Sequence, residues 1–83
     1  MKKVVGYIMN RVEKYQITNG DEDTFLTFIT LISYEGIKEY YAIGDVVDEF
    51  NDKYSKGDRI ECTLRYSEEI IFGKTVCGRI LSV

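Results

Sequence analysis

Aromatic and basic residues recur along this 83-residue sequence, which has seven tyrosines, four phenylalanines and eleven lysines or arginines. Aromatic rings offer flat faces on which other rings stack, and basic side chains pair with phosphate groups. The two kinds together are suited to contacting a single-stranded nucleic acid. The candidates are Tyr7, Tyr15, Tyr34, Tyr40, Tyr41, Tyr66 and Phe72 among the rings, and Arg11, Lys14, Lys38, Arg59, Arg65, Lys74 and Arg79 among the cations.

The predicted turns indicate which of these aromatic residues are exposed and can therefore contact a ligand. Tyr34 and Phe72 lie beside predicted turns, and we expect both rings to stack on bases, with Tyr40 as a third candidate. The cations expected to meet phosphates are Arg11, Lys38, Arg65 and Arg79. Aromatic residues also form cores and cross-strand pairs in small β-rich domains. That second role is expected for Phe25, Phe50, Tyr54 and Tyr66.

Side chains suited to catalysis are scarce. The sequence has no histidine, no glycine-rich phosphate loop, and no serine or cysteine beside an evident general base. Four acids at positions 45, 48, 49 and 52 have the spacing of an exposed helix face, and the acids at 21–23 are typical of a solvated hairpin tip. The helix spacing weighs against a magnesium site at the first group, and the three adjacent acids of the second do not supply the oxygen ligands that a calcium site needs. We therefore predict neither an enzyme nor a metal or cofactor.

The two cysteines, Cys62 and Cys77, lack the spacing of a metal site. We expect two small strand residues that remain thiols, with a disulfide between neighbouring strands as the alternative. No apolar segment approaches the roughly 20 residues of a membrane helix. No signal peptide follows the N-terminal lysines, so a cytoplasmic location is expected.

Period-two alternation of apolar and polar residues predicts strands over most of the chain. One stretch differs: Val46, Val47, Phe50 and Tyr54 recur at helical spacing, with Asp45 as the expected N-cap. A further turn is expected around Ser67. The predicted strands cover 3–18, bent at Gly6, then 24–33, 39–43, 60–66 and 74–83, and the helix covers 45–56.

The predicted order is therefore β-β-β-α-β-β within one domain, 1–83. A helix between the third and fourth of five strands is the order of the OB-fold, a five-stranded Greek-key barrel. Barrels of this type bind oligonucleotides across strands 2 and 3 and the adjoining hairpin loops. The fold prediction is thus an all-β OB barrel.

The segment from Gly44 through an amphipathic helix to Lys56-Gly57 resembles the bacterial single-stranded DNA-binding protein family. Val5-Gly6-Tyr7-Ile8 is similar to the opening strand of that family, and Asn19-Gly20 falls on its first hairpin turn. The residues 25–33 fall on its second strand. The likeness spans nearly the whole chain and implies the same barrel, self-association into a homo-oligomer, and a role in DNA replication, repair or transfer.

Stacking positions of that family are only half retained. Tyr34 falls on one of them and Ile71, beside Phe72, falls on or near another, whereas Ile37 and Ile43 replace two further rings and the chain has no tryptophan. The resemblance is to a minimal member, of the kind expected on a phage or mobile element.

Charge weighs against a simple nucleic-acid binder, because the formal net charge is −3. Two of those negative charges come from the balance of acids and lysines at 45–56, a segment predicted to lie away from the ligand. Two hypotheses follow. The first is a module that binds single-stranded DNA, or RNA, with little sequence preference; the second is an OB barrel that mediates protein assembly and has no nucleic-acid ligand.

Overall fold

Alternating and β-branched residues form strands over most of the chain. The computed structural model describes residues 1–10 and 12–83, and this part contains six strands and one helix. In chain order they are β1 (Lys2–Ile8), β2 (Tyr15–Asn19), β3 (Glu22–Ser33), β4 (Gly36–Ile43), α1 (Asp45–Lys53), β5 (Arg59–Ile71) and β6 (Lys74–Ser82). The protein is mostly β, as the sequence predicts.

Pairing between neighbouring strands forms a closed circuit that begins and ends at β1. The six-stranded sheet has the order β1-β5-β6-β4-β3-β2, and β1 also pairs with β3, where Tyr7 lies opposite Ile32. All neighbours are antiparallel except β4 and β6, which are parallel at Tyr41 and Arg79. Gly6 allows the close approach of β1 to β3, because a Cβ there would lie 2.8 Å from the Ile32 carbonyl oxygen.

The first predicted strand, 3–18, is in fact two strands, β1 and β2. Asn10 explains the break, because its side chain replaces the backbone ladder along β3. Its Nδ2 donates to the Phe28 carbonyl at 2.9 Å, and its Oδ1 accepts from the Thr30 N–H at 2.7 Å. These contacts release the chain from β3 before β2 pairs with it again, so the described sheet has six strands rather than five.

The turn predicted around Ser67 is wrong. β5 continues through this position to Ile71, and an irregularity of pairing between Tyr66 and Glu69 accommodates the extra residues. The hairpin turns instead at Phe72-Gly73. The result is a long β5–β6 hairpin whose tip carries an aromatic residue.

The helix begins at Asp45, so the prediction that Asp45 is the N-cap is wrong. Gly44 is the N-cap, with a φ of 78° that lets the chain turn from β4 into α1, and no side chain caps the helix. Asp45 and Asp48 lie in the first turn, where the helix dipole favours negative charge. Val47 and Phe50 are buried, and they fix the helix to the sheet.

Two apolar clusters lie on opposite faces of β3 and β4. The larger is the interior, where Ile29, Tyr40, Phe50, Leu64 and Ile80 are buried with residues of every neighbouring element. A smaller cluster on the outer face consists of Leu26, Tyr41 and Val76, with further apolar residues packed around them. Since β3 and β4 are apolar on both faces, the outer face is covered in part by other segments of the chain.

Residues predicted to be internal mostly lie inside. Phe50 is buried, and Phe25 and Tyr54 pack against the interior, but Tyr66 is 42 % exposed and is only partly a core residue. Cys62 is buried and Cys77 half-buried, and both are free thiols. Burial raises the pKa of the Cys62 thiol to about 11, which makes it unreactive.

None of the helical structure in the described part of the chain has the length and hydropathy of a transmembrane helix.

Candidate functional site

Two adjoining hollows on the outer face of the sheet form a groove between β2 and the β5–β6 hairpin. The first has a volume of about 310 Å³ and the second of about 380 Å³, and Ile17 and Phe72 line both. We call this surface the outer groove. Its lining consists of Tyr15, Ile17, Thr18, Leu26, Phe28, Tyr41, Ile43, Ile70, Ile71, Phe72 and Arg79.

Phe72 lies at the hairpin tip with 75 % of its surface exposed. Its φ of 48° is in the left-handed region, and Gly73 follows with a φ of 78°. Two successive residues with positive φ are typical of a type I′ hairpin turn, whose first position favours asparagine, aspartate or glycine. A bulky aromatic residue is a rare choice there and carries backbone strain. The strained turn holds an apolar ring over the groove.

Two arginines lie side by side next to the groove. Arg65 on β5 and Arg79 on β6 are directly opposite each other in the antiparallel pair, and Arg79 is also the parallel partner of Tyr41. Their side chains therefore share one face. Neither forms an ion pair with any described residue, and the Nε of Arg79 is buried without a hydrogen-bond partner. Like charges opposite each other are destabilising, so this pair favours an anion between or beside them.

Acids border the groove and hold some of its polar groups. Tyr41 donates to Glu69 Oε2 at 3.1 Å, and burial together with this bond raises the pKa of Tyr41, against the opposing effect of Arg79 and Arg65. Lys74 pairs with Glu39 at 2.7 Å, and its Nζ lies 4.9 Å from the centre of the Phe28 ring. The arginines are thus the available cations, whereas Lys74 is partly neutralised.

A second group of aromatic and charged residues surrounds the β3–β4 turn. It consists of Tyr34 and Glu35 in the turn with Lys2, Lys38 and Tyr66, and we call it the turn cluster. Lys2 Nζ lies 2.5 Å from Glu35 Oε1, and Tyr66 donates to Glu35 Oε2 at 2.9 Å. Hydrogen bonds from Lys2 and then from Tyr66 lower the pKa of Glu35 to about 2. Both lysines of the cluster are therefore engaged with this one carboxylate.

The structure divides the predicted site residues between these two places. Phe72 and Arg79 both line the outer groove, at opposite ends of its length, and Arg65 is the cross-strand neighbour of Arg79. Tyr34 and Lys38 belong to the turn cluster. About 17 Å of β4, from Gly36 to Tyr41 at roughly 3.3 Å per residue, separates the two. Arg11 lies outside the described residues.

Tyr40 does not fit its predicted role as a stacking platform. Only 2 % of it is exposed, and its ring packs inside the sheet against Tyr66, with centroids 6.4 Å apart. Burial also raises the pKa of Tyr40, followed by the influence of Tyr66. Because successive strand residues face opposite sides, Tyr40 and Tyr41 cannot share a face, and Tyr41 is the one on the groove side.

Some groove residues were missed by the sequence reasoning. The sequence predicts only a strand position for Phe28, and Tyr15 and Lys74 are candidates outside the residues expected to bind. The available signal was the pattern of β3, where Phe25 and Ile29 alternate with Leu26 and Phe28 so that both faces are apolar. A strand of this kind must be covered on its second face or bind a ligand there.

Comparison of the chain with protein-family models, curated proteins and solved structures gave no match.

Proposed function

We propose that the sheet is an OB-type barrel. The support is the circuit of pairings from β1 through β5, β6, β4 and β3 back to β1, with the single helix between β4 and β5. If β1 and β2 are taken as the two halves of one interrupted strand, the order is that of the five-stranded OB barrel. The outer groove then lies where barrels of this type bind oligonucleotides, on the face of the second and third strands beside two hairpin loops.

We propose that this groove binds single-stranded DNA, with RNA as the alternative ligand. The observation that carries the proposal is one groove lined by the exposed ring of Phe72 and by Arg79, whose unpaired cross-strand neighbour is Arg65. A base stacks on Phe72 at one end of the groove, and the arginines, roughly 20 Å further along the hairpin, meet phosphates further along the same strand. Stacking contributes about 1–3 kcal/mol per base, and phosphate contacts add affinity through counterion release.

The walls of the groove favour binding without strong sequence preference. The first hollow is lined by Tyr15, Ile17, Phe28 and Phe72, which present mainly apolar surface. Such walls accept the flat face of any base and offer few partners to its edges. Duplex DNA does not expose base faces, so the ligand is single-stranded.

A titration of labelled oligo-dT, followed by fluorescence anisotropy at low and at moderate salt, tests the proposal. Phe72→Ala is expected to weaken binding about 5- to 100-fold, in line with the loss of one stacked base. Phe72→Tyr keeps a ring and is expected to retain most of the affinity. No anisotropy change at tens of micromolar wild-type protein would disprove binding.

The arginines need a control of equal charge. Arg65→Gln and Arg79→Gln are each expected to weaken binding and to make its salt dependence shallower. Lys56→Gln removes the same charge from an exposed turn after α1, away from the groove, and is expected to change affinity less than twofold. Equal effects of all three changes would mean that net charge alone matters and that the groove is not the site.

Self-association is a second candidate function, and one observation favours it. A hollow of about 420 Å³ on the outer side of β1 and β3 is lined by Val5, Tyr7, Ile32 and Tyr34, which are all more than one-third exposed. Exposed apolar surface of this kind marks protein interfaces. Under this function a second copy covers the hollow. Light scattering would then show a dimer that Tyr7→Ser dissociates, and oligo-dT would not bind.

A further inference from the structure

Glu35 has an unusual surrounding for a surface acid. Its carboxylate accepts a hydrogen bond from Lys2 Nζ at 2.5 Å and one from Lys38 Nζ at 3.5 Å. The Tyr66 hydroxyl donates one bifurcated bond, at 2.9 Å from Oε2 and 3.1 Å from Oε1. The Glu35 side chain is only 17 % exposed. Residues from three strands, β1, β4 and β5, thus converge on one carboxylate in the β3–β4 turn.

These donors form the set that recognises a phosphate group. Two ammonium groups and a hydroxyl supply charge-assisted hydrogen bonds to anionic oxygens. Aromatic rings flank them, since Lys2 Nζ lies 5.6 Å from the ring centres of both Tyr34 and Tyr66. Tyr34 is 79 % exposed, and its hydroxyl hydrogen-bonds within the cluster, to Lys2 and Glu35. The turn cluster therefore combines cations, a hydroxyl donor and an exposed ring, but its own acid occupies the anion position.

We infer that the turn cluster is a second phosphate-binding site for the same nucleic-acid strand and that Glu35 occupies it as an internal competitor. The inference rests on the proposed function of the outer groove. Lys2 and Lys38 contact the strand only when Glu35 is displaced or its charge is removed. The wild-type protein therefore binds the strand less tightly than Lys2 and Lys38 would allow in the absence of the Glu35 carboxylate.

The charges of the cluster set the direction of the effect. Lys2, Lys38 and Glu35 together carry one net positive charge, and without the carboxylate they carry two. The low pKa of Glu35, about 2, agrees with a carboxylate that is held as an anion by these donors. Competition requires that a strand reach both sites. Lys38 faces the same side of β4 as Tyr40, opposite to Tyr41 and the groove. An oligonucleotide bound at Phe72 and Arg79 therefore has to pass over the β3–β4 turn, where Tyr34 is exposed, to reach the cluster.

The central experiment compares Glu35→Gln with the wild type, using oligo-dT of 4 and of 16 nucleotides at several salt concentrations. The variant is expected to bind the longer oligonucleotide about 5- to 20-fold more tightly at low salt. Its salt slope is expected to steepen by about 1.4, the value for two further phosphates on a single strand. The 4-nucleotide ligand is expected to occupy the outer groove alone and to show less than a twofold gain.

Two matched controls separate a local effect from net charge. Glu61→Gln removes one acid from an exposed ion pair with Lys3, at 3.4 Å, and is expected to leave affinity within twofold of the wild type. In the Glu35→Gln background, Lys2→Gln with Lys38→Gln is expected to abolish the gain. Lys53→Gln with Lys56→Gln removes equal charge from exposed positions near the end of α1 and is expected to preserve it. A gain that survives loss of Lys2 and Lys38 overturns the inference.

Failure of this inference is distinguishable from failure of the proposed function. If Phe72→Ala weakens binding while Glu35→Gln leaves it unchanged, the groove stands and the second site does not exist. If neither the wild type nor Glu35→Gln binds, both proposals fail. Thermal unfolding checks that each variant is folded, and Glu35→Asn, which removes the same charge and suits a turn, replaces Glu35→Gln if that variant does not fold.

Discussion

Phe72 is the residue at which structural and functional demands conflict. Its backbone adopts a left-handed conformation that is unfavourable for a bulky side chain, and three-quarters of its surface is exposed. Little packing compensates for the strain, because an exposed ring buries little apolar area. A turn sequence chosen for stability alone would carry asparagine before Gly73. The ring at this position agrees with the stacking role that we propose for it.

We expect Phe72→Asn to stabilise the protein while weakening its binding to oligo-dT. Asparagine adopts the left-handed region more readily, so the free energy of unfolding should rise by about 0.5–1 kcal/mol. Urea denaturation measures this gain, and anisotropy measures the loss of affinity. Phe72→Ala removes the ring without relieving the strain, so it should weaken binding equally and give no such gain. A destabilised Phe72→Asn would show that the ring supports the fold.

The sequence does not show which side of the sheet each aromatic side chain faces, and this limits the prediction of site residues. Tyr40 and Tyr41 are adjacent, and composition alone does not indicate which of them points inward. The answer depends on the register with β3, where Ile29 lies opposite Tyr40 and Phe28 opposite Tyr41. The exposure of Phe72 is easier to predict, because a turn exposes its residues whatever the register, although the turn predicted around Ser67 lies at Phe72-Gly73.

The ion pair of Lys2 with Glu35 makes stability depend on pH at low pH. Hydrogen bonds from Lys2 and Tyr66 lower the pKa of Glu35 from 4.5 to about 2, so the contact stabilises the folded state fully above pH 4.5. The contribution is lost as the pH falls through 4.5 toward 2. The hydrogen bond to Glu35 also raises the pKa of Lys2, so its contribution is present below 10.5 and is lost only at more alkaline pH.

The melting temperatures of the wild type and Glu35→Gln measure this contribution. The wild type is expected to be the more stable of the two by a constant difference between pH 6 and pH 9, and the difference should shrink between pH 4.5 and pH 2. Glu61→Gln, at an exposed pair, serves as the comparison and should show a smaller difference throughout. If the difference in melting temperature between the wild type and Glu35→Gln is as large at pH 2 as at pH 6, the assigned ion pair is contradicted.

At the scale of elements, the sheet depends on how closely β1 approaches β3. The two strands share only the pairs Tyr7–Ile32 and Ile8–Leu31 before Asn10 ends the ladder. Gly6 lies at the entrance to this contact, and β1 also pairs with β5 on its other side. The circuit of strand pairings is therefore closed by a short contact that has no room for a side chain at Gly6.

Gly6→Ala is expected to lower the free energy of unfolding by about 1–3 kcal/mol. The added Cβ would lie 2.8 Å from the backbone oxygen of Ile32, and a backbone atom cannot move aside as a flexible side chain does. Urea denaturation measures the change. Lys3→Ala, an exposed substitution on the same strand, should alter stability by less than about 0.5 kcal/mol. If the free energy of unfolding of Gly6→Ala equals that of the wild type, β1 does not pack closely against β3 in solution.

Element types were predictable from periodicity, whereas their limits were not. The helix and the long strands follow from spacings of apolar residues that need no tertiary information. The break between β1 and β2 was not visible, because it depends on Asn10 bonding to β3, a strand about twenty residues away. The continuation of β5 through Ser67 was missed for a similar reason, since pairing with β6 overrides the local turn preference of its polar residues.

At the scale of the whole molecule, a net charge of −3 has to be reconciled with an anionic ligand. Four acids are neutralised by lysines: Glu35, Glu39 and Glu61 form ion pairs, and Asp48 pairs with Lys14 at 2.6 Å. These pairs also remove lysines from the set available to phosphates. The cations left at the outer groove are chiefly Arg65 and Arg79.

A protein with two available cations at its site should show a shallow salt dependence of binding. Each phosphate neutralised on a single strand contributes about −0.7 to the slope of log K against log salt, so the wild type is expected to give about −1.4. This slope is measured by anisotropy titrations of a 16-nucleotide oligo-dT at salt concentrations from about 50 to about 300 mM. Arg65→Gln combined with Arg79→Gln should reduce the slope nearly to zero, leaving stacking on Phe72 as the residual, salt-independent contribution.

A wild-type slope steeper than about −3 would require more than four phosphate contacts. The lysines held by Glu35, Glu39 and Asp48 would then have to leave their partners on binding, and the restraint assigned to Glu35 would not exist.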